Sequence, residues 1–389
     1  MIHIAQRMSR LGTETAFLVL AKAKALEAQG KKIVHLEIGE PDFDTPINIK
    51  LAAKKALDDN FTHYGPAPGL PPLREAIAKH ISQTRGIEVK PDNVVVTPGG
   101  KPIMFYLILA TVDEGDEVIY PNPGFPIYES VIEFVGAKAV PLALKEENEF
   151  RVDINDLKKL ITKKTRLLIL NSPQNPTGGI LTQDDLKQIA KLAVENNLIV
   201  LADEIYSQIV YGDFKHYSIA AEPGMQERTI ILDGFSKTFA MTGWRLGYGV
   251  MPVELVPLIG QLEINSVSCT SSFSQIAAAE ALNGPWQDVH KMVDEFKKRR
   301  DVIVDGLNSI PGFKCHRPHG AFYVFPNIKG TGMSSRDLAE FLLNEAGVAC
   351  LSGTAFGKYG EGYLRFSYAN SIPNIEWALD SIRKTLKKR

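Results

Sequence analysis

Cysteine is scarce in this chain: three residues in 389, at positions 269, 315 and 350. An odd, scattered set builds neither a disulfide framework nor a cysteine zinc site, and it fits a reducing compartment. Long apolar runs are also lacking. The longest, "PIMFYLILATV", has 11 residues, about half of the roughly 20 that a membrane-spanning helix needs. The N-terminal "AFLVLA" is flanked by "KAK" and lacks the layout of a signal peptide. No charge of one sign dominates. The 44 Lys and Arg against 45 Asp and Glu leave a formal net charge of −1, which draws neither nucleic acid nor an anionic membrane. The basic end "KTLKKR" reads as a solvated last helical turn, and there is no internal repeat or low-complexity linker. The expectation is a cytoplasmic protein with no metal, nucleic-acid or membrane partner.

What is present is a long chain, 44% hydrophobic, able to bury a large core in two or three domains. Its middle alternates short apolar runs with helical patterns: "VVVT", "DEVIYPN", "GAKAVPLAL", "TRLLILNSP", "NLIVLADEIY", "TIILDGFSK" and "RLGYGVMP". Among the helical patterns, "TQDDLKQIAKLAVENN" places Leu186, Ile189, Ala190 and Ala193 on one face. Thr182 with Asp185 is a weak start signal for it, because the acid is not the Glu or Gln of a capping box. Apolar strands spaced by helices predict an α/β fold whose mostly parallel sheet is covered on both faces. From about residue 285 the pattern changes to a long charged helix, two strand patterns ("GAFYVFPN", "YLRFSYANS") and the helical "SSRDLAEFLLNEAG". This predicts a second, smaller α+β domain, joined by a helix at 15–29.

In open parallel sheets the ligand crevice lies at the carboxyl ends of the strands, and special residues gather there. Gly99, Gly100 and Lys101 follow "VVVT" and precede a helix, as a plain tight turn or as a backbone wrapped around an anion. "NSPQNPTGG" is a structural loop or one that points Asn175 inward. Asp203 ends an apolar strand, either ion-paired in a loop or desolvated in the crevice. Lys237, after "TIILDGFS", is a surface charge or a desolvated, nucleophilic amine. Taken together with Arg245, these groups suit a ligand with a phosphate, a basic ring nitrogen and an aldehyde. Pyridoxal 5′-phosphate has all three.

"SKTFAMTGWRLGY", with lysine and arginine eight apart, resembles the cofactor-lysine motif of class I aminotransferases. "LEIGEPDFDTP", "HYGPAPGLPPLREAIA", "NSPQNPTGG", "DEIY" and "YLRFSYANS" are similar to the same family in the same order. The likeness runs from about residue 10 to the end and is strongest to the prokaryotic gamma subgroup of aspartate aminotransferases. The resemblance implies the fold type I architecture of pyridoxal-phosphate transferases, a mostly parallel seven-stranded sheet between helices plus the smaller domain. It also implies three parts: an N-terminal segment (1–45) packing with the small domain, a large cofactor-binding domain (46–284) and a small C-terminal domain (285–389).

The resemblance further assigns roles. Lys237 would form the Schiff base with pyridoxal 5′-phosphate and later move the substrate proton. Asp203 would hold the pyridine nitrogen protonated, while Tyr206 and Asn175 would bond the ring's phenolate oxygen. Ser236, Arg245 and the backbone of Gly99, Gly100 and Lys101 would hold the phosphate. Phe125 would stack on the ring, where close relatives usually carry tryptophan. Tyr64 would reach the phosphate of a neighbouring subunit, implying a homodimer with shared active sites. Arg365 would grip the substrate α-carboxylate, with Asn175 beside it; the lesser reading of its pattern is a surface arginine on an edge strand. Gly39 would let the N-terminal segment close over the substrate.

For the amino acid itself, Lys101 stands where gamma-type enzymes read a side-chain carboxylate, favouring aspartate and glutamate. The segment "GTETAFLVL", with Glu14, Phe17 and Leu18, instead suits a bulkier or aromatic side chain, so broad specificity is an open alternative. A lyase on the same scaffold, or a ligand-sensing regulator, is a more distant one. The latter needs a DNA-binding module ahead of the cofactor-fold motifs, which begin by residue 36.

Overall fold

The computed structural model describes residues 2–388; Met1 and Arg389, the outer ends of the expected N-terminal segment and basic terminal turn, lie outside the described residues. Strand β1 is Val34–His35. The next seven form one sheet: β2 (Val94–Thr97), β3 (Glu117–Asn122), β4 (Lys138–Ala143), β5 (Thr165–Asn171), β6 (Ile199–Asp203), β7 (Thr229–Gly234) and β8 (Gly247–Val250). Their order is β2-β8-β7-β6-β5-β3-β4, and every neighbouring pair is parallel except those made by β8. The seven apolar runs of the sequence are these seven strands.

Period-two alternation along the strands separates two cores. Leu167 and Ile169 of β5 join Ile103, Leu107 and Ile108 of helix Lys101–Thr111 on one face. Leu168 and Leu170 join Leu186, Ile189 and Ala193 of helix Gln183–Glu195 on the other. That helix starts more firmly than its sequence suggests. Thr182 Oγ1 accepts from the Asp185 amide at 3.1 Å, and Asp185 Oδ2 accepts from the Thr182 amide at 2.8 Å. A short aspartate completes the reciprocal cap here because Arg151 Nη1 holds its carboxylate at 2.9 and 2.8 Å.

The remaining strands are short: β9 (Tyr323–Val324), β10 (Val348–Ala349), β11 (Leu351–Ser352) and β12 (Leu364–Ser367). β12 lies between β11 and β9 in an antiparallel sheet, and all four of its residues are buried. Arg365 is therefore neither on an edge strand nor at the surface. Helices Gln287–Asn308 and Ile372–Leu386 cover this sheet through Phe296, Ile303, Leu307, Ile375 and Leu379. The N-terminal chain is built into the same region: β1 pairs with β10, and the Ser367 amide donates to the Leu36 carbonyl at 2.7 Å. Ala23 of helix Ala16–Ala28 packs with Ile33, Leu343 and Ala349. Among the described residues no helix is long and apolar enough to cross a membrane.

Candidate active site

The carboxyl ends of β2, β5, β6 and β7 meet the N-terminal chain and β12 around one cavity of about 570 Å³. Asp203, the last residue of β6, is cross-strand partner to Asn171, whose Nδ2 donates to the Asp203 carbonyl at 3.0 Å. Its carboxylate is buried and accepts from the Tyr128 hydroxyl at 2.5 Å and from the Ile205 amide at 3.3 Å. Burial pushes its pKa up to about 6, against the downward pull of these two bonds.

Lys237 lies just past β7 with its Nζ donating to the Gly39 carbonyl at 2.5 Å. The residue is only partly buried and lines the cavity. Burial lowers its pKa to about 8; Glu40 opposes the shift and Arg365 adds to it. The desolvated-amine reading is the one this geometry supports.

Arg365 reaches the opposite wall. Its Nη1 donates to Asn175 Oδ1 at 3.3 Å and its Nη2 to the Glu37 carbonyl, while Nε is buried with no hydrogen-bond partner. The guanidinium lies 4.5 Å from the centre of the Tyr323 ring and 5.0 Å from that of Phe356. None of these contacts is anionic, so a buried cation faces the cavity ready for a planar carboxylate. Tyr323 also bonds Tyr206, hydroxyl to hydroxyl at 2.8 Å.

At the other end, Gly99 has φ +93°, and a Cβ there would strike the Arg245 guanidinium. A Cβ on Gly100 would meet Leu232 Cδ2 at 2.9 Å. The pair brings backbone against Arg245 at the start of helix Lys101–Thr111, where unpaired N–H groups favour an anion. Gly99→Ala is expected to lower stability by about 1–3 kcal/mol, from the left-handed backbone and the displaced guanidinium. It should also abolish protection of the apoprotein by inorganic phosphate in thermal unfolding. Protection equal to wild type would put the anion seat elsewhere.

Gly39, Lys101, Phe125, Ser236 and Arg245 line the same cavity as Asn175, Asp203, Tyr206, Lys237 and Arg365. Tyr64 does not: its residue is 91% exposed in the single chain and lies outside the cavity wall. Lys101 forms an ion pair with Glu14 and stands 5.5 Å from the Phe125 ring centre.

The family model described as aminotransferase class I and II matches residues 31–382 of this chain. The chain is a class I and II aminotransferase. It is 46% identical over 362 residues to an aspartate aminotransferase of Pyrococcus abyssi, covering 92% of this chain and 93% of that one. It is 44% identical to aromatic-amino-acid aminotransferase 2 of Thermococcus litoralis, covering 93% and 94%. The solved aspartate aminotransferase of Thermus thermophilus with maleate superposes with a TM-score of 0.95 at 36% identity, over 99% and 100% of the two chains.

Sequence reasoning overlooked several groups that shape this aminotransferase's cavity. Tyr128 follows Phe125 by three residues in "NPGFPIY", and the two rings meet edge-on at 5.6 Å. Its pairing with Asp203, 75 positions away, left no local signal. Tyr323 sits in an apolar strand where an aromatic reads as core. Beneath the site lies a buried charge cluster. Arg85, at the end of helix Pro71–Arg85, donates from Nε to Glu204 Oε2 at 2.8 Å and from Nη2 to Asp233 Oδ2 at 2.7 Å. Burial disfavours the Glu204 carboxylate, but His216 and Arg85 outweigh it and hold its pKa at about 2. Since Glu204 adjoins Asp203 and Asp233 lies on β7, Arg85 ties together the two strands that carry the central groups.

Proposed function

We propose that this aminotransferase binds pyridoxal 5′-phosphate at the strand ends and moves the amino group of aspartate or glutamate to a 2-oxo acid such as 2-oxoglutarate. The observation that carries the reading is the convergence of Lys237, Asp203 and Arg365 on one cavity with a glycine-lined arginine site at its far end. The donor set suits the cofactor: an amine depressed to about 8, a buried carboxylate, and an exposed guanidinium beside a helix start.

When bound, the cofactor supplies an electron sink for the pair left behind as substrate Cα loses its proton. Lys237 would hold the cofactor covalently and, once displaced by the substrate amine, carry the proton to and from Cα. Asp203 would keep a proton on the ring nitrogen, with Tyr128 orienting the carboxylate. Tyr206 and Asn175 would bond the ring's oxygen; Ser236, Arg245 and the Gly99-Gly100-Lys101 backbone would hold the phosphate; Phe125 would cover the ring. Arg365 and Asn175 would take the α-carboxylate, and Gly39 would close the wall beside it. Lys101 would read the side-chain carboxylate.

We assign Tyr64 to a neighbouring subunit's site in a homodimer, a reading supported by its 91% exposure. The division into segment 1–45, large domain 46–284 and small domain 285–389 is supported by the β1–β10 pairing. Three free cysteines, two of them buried, fit a cytoplasmic setting.

A second reading, broad or aromatic specificity, is favoured by Phe17, which lines the cavity and stands 61% exposed; Leu18, 59% exposed, lies outside the cavity wall. Initial rates of the cofactor-loaded enzyme with aspartate, phenylalanine and alanine, each with 2-oxoglutarate, test the two. Aspartate is expected to give the highest kcat/KM; a phenylalanine preference would overturn the dicarboxylic assignment. Arg365→Lys should lower kcat/KM for every donor by about 100-fold, chiefly through KM, because an ammonium loses the bidentate grip.

A further inference from the structure

Lys101 does not stand in the cavity mouth without a counter-charge. It is the first residue of helix Lys101–Thr111, where the helix dipole disfavours a cation. The Phe125 ring, whose centre stands 5.5 Å from the ammonium, offers no charge. Glu14 supplies it: Glu14 Oε1 accepts from Lys101 Nζ, with the acid's side chain 19% exposed and the lysine's 50%. The acid is held in place. Two residues earlier, the Gly12 amide donates to Ser130 Oγ at 2.8 Å, and two residues later helix Ala16–Ala28 begins. Its charge is felt as deep as Lys237 and Arg365, whose cationic forms it favours.

We propose that Glu14 determines specificity by occupying on Lys101 the place of a substrate's side-chain carboxylate. This rests on the reading of Lys101 as the group that recognises that carboxylate. An apolar or aromatic amino acid then enters with the Glu14–Lys101 pair closed, and its side chain meets a neutral pair and the exposed Phe17 rather than a bare ammonium. A dicarboxylic amino acid brings a second carboxylate to one ammonium. It must displace Glu14, whose neighbours Thr13 and Thr15 are exposed, so the acid moves into solvent. The one residue thus admits neutral substrates and taxes acidic ones.

Glu14→Gln keeps the size and the hydrogen bond but removes the competing charge. In the cofactor-loaded enzyme it is expected to raise the aspartate-to-phenylalanine ratio of kcat/KM by about tenfold, mainly through KM for aspartate. Binding of two unreactive acids, succinate and 3-phenylpropanoate, gives a readout without turnover. Succinate should tighten by a similar factor, and 3-phenylpropanoate should bind no better than to wild type. Lys101→Met should weaken aspartate and succinate and spare phenylalanine. If Lys101→Met has that effect but Glu14→Gln leaves the ratio and succinate affinity within twofold, or lowers them, the competition is overturned. If Lys101→Met leaves aspartate untouched, it is the reading of Lys101 that fails.

Discussion

Replacing Lys237 by alanine is expected to cut transamination by at least about 10⁴-fold, because nucleophile and proton carrier are lost together. The fold should survive. The amine makes one hydrogen bond, to the Gly39 carbonyl, and that carbonyl faces a solvent-reached cavity once the side chain is gone. The stability cost is therefore about 1 kcal/mol. Cofactor uptake should become reversible. Borohydride reduction followed by mass spectrometry should find the cofactor on the Lys237 peptide of the wild type and on no peptide of the variant. Turnover above a hundredth of wild type would sink the assignment. The wild-type amine also sets a pH signature. With a pKa of about 8, the neutral amine grows as pH rises and saturates above that value. At pH 7 about a tenth of it is already neutral. Cofactor capture by the apoprotein should climb from pH 6.5 and level off near pH 9. An ordinary lysine would still be climbing at pH 10.

Asp203→Asn is the second large effect expected: a loss of about 10³-fold in kcat with cofactor affinity changed less than tenfold. The substitution is isosteric, and an amide oxygen still accepts from Tyr128. What goes is the negative charge facing the ring nitrogen, which matters most when charge develops on the ring. The raised pKa adds a pH dependence of definite sign. Below about pH 6 the wild-type apoprotein carries a neutral Asp203, so its uptake of the cofactor should weaken as pH falls through 6. Uptake by the asparagine variant should stay flat over the same range. Equal kcat in the two proteins would remove Asp203 from the chemistry.

The large sheet was legible in the sequence because its strands, apart from the edge strand β4, are buried on both faces and so read as largely apolar runs bounded by turn residues. The strand-end groups were legible for the same reason: a charge or glycine pair directly after such a run has few places to go. Arg365 was harder. Its flanking strands are only two residues each, too short for any periodicity, so central and edge positions look alike in "YLRFSY". Tyr128 and Tyr323 were missed because an aromatic among apolar residues looks like core until its hydroxyl finds a partner far along the chain. Asp185 was undervalued because its cap depends on Arg151, 34 positions away. Glu14 was noted for its segment, but its partner lies 87 residues on. For the tyrosines, Asp185 and Glu14 the missing information is a contact between distant side chains, which a linear pattern does not carry.

The buried Arg85–Glu204–Asp233 cluster has a consequence on an evolutionary scale. Removing Arg85 leaves Glu204 and Asp233 without their shared cation in the interior, at a cost of about 3–5 kcal/mol, whereas exchanging the whole set for apolar residues of similar volume is often nearly neutral. Against a total stability of about 5–15 kcal/mol, a path that loses Arg85 first is close to lethal. Arg85 cannot be lost while its two acids remain, and the strands that carry Asp203 and lead into Lys237 are anchored with it.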